Sequence, residues 1–190
     1  MPTNIMFVGV GGQGTLLASK ILGRVLIEKG YDVKVSEVHG MSQRGGSVVT
    51  YVRYGEKVYS PTVESGEADI ILAFEQLEAL RNLHCLAPQG TLIVNTQTIE
   101  PMPVITGVSQ YPENIIPTIE ACGAQVIAAD ALEIATQCGT AKAVNIVLLG
   151  IAAKRLGLAE ADFFPAIDAL VKEKFRDVNK TAFSHGYALG

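Results

Sequence analysis

Apolar residues along the chain alternate between short continuous runs and longer stretches at helical spacing. Asn4 to Val10 is an apolar run closed by glycines, the pattern of a strand buried on both faces. Thr15 to Lys29 then repeats its apolar positions as a helix does, and Gly30 ends it. Tyr31 to Val38 supplies a second strand and completes a β-α-β unit, whose crossover should be right-handed. Ser47 to Tyr54 alternates with period two, and Gly55-Glu56 separates it from Lys57 to Ser60, which predicts a β-hairpin with a two-residue turn before Pro61. Ala68 to Phe74 reads as a strand, Glu75 to Leu86 as a helix, Pro88-Gln89-Gly90 as a turn and Thr91 to Asn95 as a strand. Thr98 to Pro117 holds four prolines and little periodicity, so it predicts an excursion over the sheet edge with one short strand at Val104 to Val108. Ala124 to Ala129 is a strand, Ala131 to Cys138 a helix entered through Asp130, and Lys142 to Leu156 a strongly apolar helix. Glu160 to Phe175 is the last helical region, and the tail from Val178 is expected to dock on the rest. The pattern defines an α/β protein: a doubly wound, Rossmann-like, mostly parallel sheet with an inserted β-hairpin after the second strand.

Composition narrows the reading. With 190 residues, 48% of them hydrophobic, the chain can bury a substantial core as one domain spanning residues 1–190. The formal net charge is −4, and no Lys/Arg cluster offers the footprint that a phosphate backbone requires, so no nucleic-acid partner is expected. No apolar run reaches the ~20 residues needed to cross a bilayer, and no basic leader precedes the first strand. A cytoplasmic protein without a membrane partner is the expectation. Cys85, Cys122 and Cys138 are widely spaced, with no C-x-x-C pair or zinc-ligand spacing. They are expected to be buried thiols in a reducing compartment, with Cys122 and Cys138, each preceding a glycine, as the alternative candidates for a reactive thiol. This chain alone should therefore hold no metal and no iron-sulfur cluster. His84 and His185 have no constellation around them.

Two motifs carry chemistry. Gly9-Val10-Gly11-Gly12-Gln13-Gly14 is a G-x-G-x-x-G between a strand and a helix. Glycines there permit a tight turn and close approach of a ligand, while the helix start favours an anion. A dinucleotide site would place an acid about 20 residues on, and Glu37 stands near that position. The second motif, Glu37 to Ser47, sets ionisable, hydroxyl, amide and guanidinium groups between two strands, with its own Gly45-Gly46 pair. Loops so composed and so supported are where function concentrates. The glycine turn admits three readings: close helix-strand packing, a phosphate-bearing ligand or a partner loop.

GVGGQG from Gly9 to Gly14 together with EVHGMSQRGG from Glu37 to Gly46 resembles the gamma-type subunit of the 2-oxoacid:ferredoxin oxidoreductases. The His39-Gly40-Met41 variant is most similar to the indolepyruvate branch, in its beta subunit. Ser42-Gln43-Arg44-Gly45-Gly46 is the narrower match, since G-x-G-x-x-G occurs in many families. Enzymes of this family decarboxylate a 2-oxoacid on thiamine diphosphate, pass electrons through iron-sulfur clusters to ferredoxin and release an acyl-CoA. The chain lacks both the cysteine sets and the GDG…NN pattern that holds magnesium and thiamine diphosphate. The resemblance therefore implies a catalytic alpha subunit that carries these cofactors, with CoA possible at the interface.

On that reading, Arg44 offers a planar fork to a carboxylate or phosphate, or an ion pair to Glu37 or the partner. His39 serves proton transfer or holds the loop by hydrogen bonds. Ser42 and Gln43 are hydrogen-bonding candidates in the loop or interface. Gly9, Gly11, Gly12, Gln13, Gly14, Glu37, Gly45 and Gly46 complete the set expected around a cofactor. A free-standing nicotinamide- or flavin-binding enzyme and a pure interaction module are the other classes the residues allow.

Overall fold

The computed structural model describes residues 2–39 and 46–190. Six strands form one sheet: β1 (Thr3–Val10), β2 (Asp32–His39), β3 (Ser47–Gly55), β4 (Ala68–Ala73), β5 (Leu86–Asn95) and β6 (Gln125–Ala129). Their spatial order is β2-β3-β1-β4-β5-β6. β1, β4, β5 and β6 are parallel neighbours, whereas β3 runs antiparallel to both β1 and β2. The expected α/β architecture with a mostly parallel sheet is present.

Alternate residues of the central strands divide the core. Ile5 and Phe7 of β1 join one buried cluster and Met6 and Val8 the other, as the two-residue period of a strand requires. The first cluster is closed by α1 (Thr15–Glu28), α5 (Ala131–Gln137), α6 (Val144–Arg155), α7 (Phe163–Leu170) and α8 (Arg176–Leu189); the second lies under α2 (Gln76–Asn82) and α4 (Ile115–Ala121). Helices on both faces explain why these strands read as unbroken apolar runs.

Four expectations are corrected. The hairpin is β2–β3, with His39 opposite Val48, and Lys57 to Ser60 forms no strand. The Asp32 carboxylate accepts the Val58 N–H at 2.9 Å, and Arg53 holds the carbonyls of Ser60 and Thr62 at 3.2 and 2.7 Å. This segment therefore bonds to side chains where a hairpin arm would need a ladder. The Lys34 ammonium and the Val58 N–H at Asp32 hold its carboxyl below the usual carboxylate range. Pro88-Gln89-Gly90 is no turn but part of β5, at a register shift between Ala68 and Ile70 on β4. A Cβ on Gly90 would lie 2.7 Å from the Ala68 carbonyl oxygen, so only glycine permits that approach. Val104 to Val108 is not a strand: it holds the end of α3 (Met102–Ile105) and the turn that follows, the helix being entered through Pro101 and Pro103, whose fixed φ suits a first helical turn. The thiols differ too, since Cys85 is buried, Cys138 half-buried and Cys122 exposed.

Helices α6 and α8 complete the first of the two buried clusters. Every residue from Val144 to Ala153 of α6 is buried, so this helix is core. The tail docks as α8, and backbone nearly touches backbone at two glycines. A Cβ on Gly150 would stand 2.3 Å from the Phe183 carbonyl oxygen, and one on Gly186 only 1.9 Å from that of Val147. Phe163 and Phe183 stack beside this contact with ring centroids 4.6 Å apart. Gly186→Ala should therefore force α8 off α6 and destabilise the chain by about 3 kcal/mol. Urea denaturation checks this, and an unchanged midpoint would refute the close approach.

Candidate functional site

The sheet changes direction of winding between β1 and β4: from β1 the chain passes through α1 to the β2–β3 side, then returns to β4 on the other. In open α/β sheets, ligands bind outside the carboxyl ends of the strands at such a point. The glycine turn lies there. Gly12 and Gly14 take φ of 101° and 81°, values that L side chains rarely adopt. Gly14, which has no side chain to cap with, starts α1, and the first turn of that helix holds no acidic residue, a combination that suits an anion at the helix start.

Gln13 changes what this turn can accept. Its Oε1 accepts the Val10 N–H at 2.7 Å and its Nε2 donates to the Phe74 carbonyl at 2.9 Å. The side chain thus folds back across the junction of β1 and β4. A Cβ on Gly9 would meet Gln13 Oε1 at 2.8 Å and Phe74 Cβ at 3.0 Å, so this glycine makes room for the amide rather than for a ligand.

The Phe74 carbonyl also accepts from buried Asn95 Nδ2 at 3.1 Å, and Asn95 Oδ1 accepts the Ala131 N–H at 3.1 Å. One carbonyl therefore ties the ends of β1, β4 and β5, and Asn95 extends the tie to α5. Next to it, Glu75 is buried, with 1% of its surface exposed. It caps α2 by accepting the Glu78 N–H at 3.0 Å, and also accepts the Ile99 N–H at 3.1 Å and the Tyr111 hydroxyl. Burial, and then the bond to the Glu75 carboxylate and its charge, push the Tyr111 phenol far above its ordinary value. Glu78, also buried, accepts from Ser47 Oγ and pairs with Arg81 at 2.6 Å.

Beside the turn opens a cleft of about 460 Å³ whose walls include Gly12, Gly14, Gln97, Ile99, Lys142 and Asn145. Asn145 Nδ2 donates to the Gly14 carbonyl at 3.0 Å, so α6 buttresses the turn. Its Oδ1 is buried and has no hydrogen-bond partner among the described residues. Uncapped N–H groups and one lysine suit part of a phosphorylated or carboxylate ligand.

The predicted residues are distributed as follows. Gly9 to Gly14 form the turn, and Gly46 joins them because its carbonyl accepts the Gly11 N–H at 2.9 Å. Glu37 is not beside β1: it pairs with Thr50 of β3, which in turn pairs with Phe7. At ~4.8 Å per strand, it stands ~10 Å from β1, too far for the ribose acid of an ordinary dinucleotide site. His39 ends β2, opposite Val48. Ser42, Gln43, Arg44 and Gly45 lie outside the described residues. Glu75, Asn95, Tyr111, Lys142 and Asn145 were not singled out from sequence. The signals available were faint: the E-x-x-E spacing of Glu75 and Glu78 is a capping pattern, and Asn145 is a lone amide in an apolar helix. Among the described residues, no group of three or more His, Cys, Asp or Glu could hold a metal ion, and no helix is long and apolar enough to cross a membrane.

A Rossmann-like domain with a glycine turn closed by its own glutamine is the class these features define. The family profile described as pyruvate ferredoxin/flavodoxin oxidoreductase matches residues 4–189, and the chain belongs to that family. It is 42% identical to the indolepyruvate oxidoreductase subunit IorB of Thermococcus kodakarensis, covering 96% of this chain and 93% of that one. The corresponding subunit of Pyrococcus horikoshii is 41% identical with the same coverage, 96% and 93%. Among solved structures, the gamma subunit of the keto/oxoacid ferredoxin oxidoreductase from Geobacter sulfurreducens superposes with a TM-score of 0.73 at 25% identity, over 98% of this chain and 97% of that one. The gamma-type resemblance read from the two motifs is thereby established along the whole chain.

Gln13→Glu should keep the bond from Val10 N–H but lose the donor to Phe74, costing about 2 kcal/mol at neutral pH. Protonating the introduced carboxyl restores that donor, so its pKa is raised in the folded state. The loss should be complete above the raised value, shrink as pH falls from it towards the ordinary glutamate value, and be largely gone below that. Urea denaturation at pH 4 and pH 7.5 measures this; an equal loss at both would refute the donor role.

Proposed function

We propose that the chain, residues 1–190 as one gamma-type domain, is the non-cofactor-bearing subunit of a thiamine-diphosphate-dependent 2-oxoacid:ferredoxin oxidoreductase acting on aryl pyruvates such as indolepyruvate. The overall reaction converts the 2-oxoacid, CoA and two oxidised ferredoxins to acyl-CoA, CO2, a proton and two reduced ferredoxins. The observation that carries the reading is the match along nearly the full length of both chains to indolepyruvate oxidoreductase subunits. The cytoplasm, where ferredoxin is reduced, is the compartment this reading requires.

Thiamine diphosphate, magnesium and the iron-sulfur clusters belong, on this reading, to a catalytic alpha subunit, which supplies decarboxylation and electron transfer. The residues of this chain bind and orient. The uncapped start of α1 and Lys142 fit a phosphate of CoA, and the cleft of about 460 Å³ fits a portion of that molecule. Arg44 would then fork onto a carboxylate or phosphate and His39 hold or move a proton, with Ser42 and Gln43 bonding across the junction. Gly11, Gly12 and Gly14 would form the phosphate-facing side of the turn, with Gln13 and Gly9 closing it behind and Gly46 bonded to Gly11 beside it. Closure of the β1–β4 junction by Gln13 and the displacement of Glu37 both count against a nicotinamide or flavin dinucleotide in this chain.

The purified chain should show no indolepyruvate-dependent reduction of ferredoxin, and activity should appear on assembly with the thiamine-binding chain of the same cell. Turnover by the isolated chain, or tight binding of NAD, NADP or FAD to it, would overturn the reading. Arg44→Ala in the assembled enzyme should lower kcat/KM by at least about tenfold, ~1.4 kcal/mol in the barrier. Intact assembly with intact kcat/KM would instead indicate a pure interaction module.

A further inference from the structure

Glu75 gathers bonds that the turn and the signature loop do not account for. One carboxylate oxygen accepts the Glu78 N–H at the start of α2; the other accepts the Ile99 N–H and the Tyr111 hydroxyl, both from the excursion that follows β5. Ile99 and Gln97 form part of the cleft lining. The Gln97 carbonyl is held in turn by the Gln76 N–H at 3.3 Å, and Gln76 Nε2 donates to the Thr96 carbonyl. The whole stretch from Thr96 to Ile99 is thus hung on Glu75 and its neighbour.

We propose that Glu75 is a positioning residue: it sets the Gln97–Ile99 wall of the cleft against the glycine turn and so fixes the width available to the ligand of the shared site. The proposal rests on the subunit reading for the identity of that ligand. Its chemistry follows from what meets at Glu75. Three donors converge on one buried side chain, and only an acceptor-only group satisfies all of them. An amide of the same shape turns an NH2 toward at least one of those donors, leaving a donor facing a donor in a buried place. Tyr111 remains protonated, and therefore a donor, throughout the neutral range.

Glu75→Gln and Tyr111→Phe, compared with wild type, test the role in the assembled enzyme and in the isolated chain. In the complex, Glu75→Gln should raise KM for CoA at least about fivefold and Tyr111→Phe about two- to threefold, each with kcat within about twofold of wild type. The double variant should be no worse than Glu75→Gln alone, because both changes act through one carboxylate. In the isolated chain, hydrogen exchange at the Ile99 amide should accelerate in Glu75→Gln while the amides of β4 remain protected. Unchanged Ile99 exchange overturns the positioning role, and so does faster exchange with KM for CoA unaltered, since that would make the contact structural only. If Glu75→Gln fails to fold, the same KM-against-kcat split in the milder Tyr111→Phe decides. A wild-type complex that oxidises no 2-oxoacid sinks the subunit reading instead, and the Ile99 exchange still tells whether Glu75 holds the wall.

Discussion

The bridge from Gln13 to the Val10 N–H and the Phe74 carbonyl is the constraint on which the rest of this structure depends. Parallel strands that part company at a winding reversal leave backbone groups at their carboxyl ends without ladder partners, and those groups must find others when buried. In a dinucleotide-binding protein, a ligand and its waters can serve. Here one amide, which can donate and accept at once, serves both strands. Because Phe74 also receives Asn95, the same carbonyl couples β1, β4 and β5. The glycines of the turn are thus explained partly by backbone conformation and partly by the space the amide occupies. Gly9 belongs to the second kind and Gly12, at a φ of 101°, to the first.

Much of the fold was legible from the chain because the central strands are buried on both faces. Asn4 to Val10 and Ala68 to Phe74 could not be mistaken for anything solvated, and α1 was bounded by glycines whose conformations the structure bears out at Gly14 and Gly30. The failures share a physical cause. β3 alternates as a half-buried strand does, but alternation says nothing about which strand it pairs with, and β3 inserts between β2 and β1. Local turn chemistry at Gly55-Glu56 and at Pro88-Gly90 was overruled by partners far away in sequence: Asp32 for the first and the Ala68 carbonyl for the second.

The site was legible in its motifs and obscure in its supports. Glycine-rich turns announce themselves because few residues can adopt their conformations. A buried carboxylate such as Glu75 looks, in sequence, like any helix-capping acid; only the fold reveals that Ile99 and Tyr111 converge on it from the excursion. Glu37 illustrates the reverse error. Its sequence distance from the glycine turn suits a ribose-binding acid, yet the inserted β3 moves it one strand further away. Spacing along the chain is a proxy for spacing in the sheet only while strand order follows sequence order.

The same geometry bears on what this member of the family presents at the carboxyl ends of its strands. Its carboxyl-end face carries an anion-seeking helix start, one lysine at a cleft and the two ends of the Glu37–Ser47 segment, of which Gly46 bonds to Gly11 and Ser47 to buried Glu78. Those groups can hold and orient a charged ligand. Gln13, which could have made the crevice a cofactor site, instead uses both of its hydrogen-bonding ends internally. The amide thus closes the junction of β1 and β4 and leaves the polar groups of the turn around the cleft beside it. That arrangement belongs to a chain that is similar to small oxidoreductase subunits over nearly all of its length.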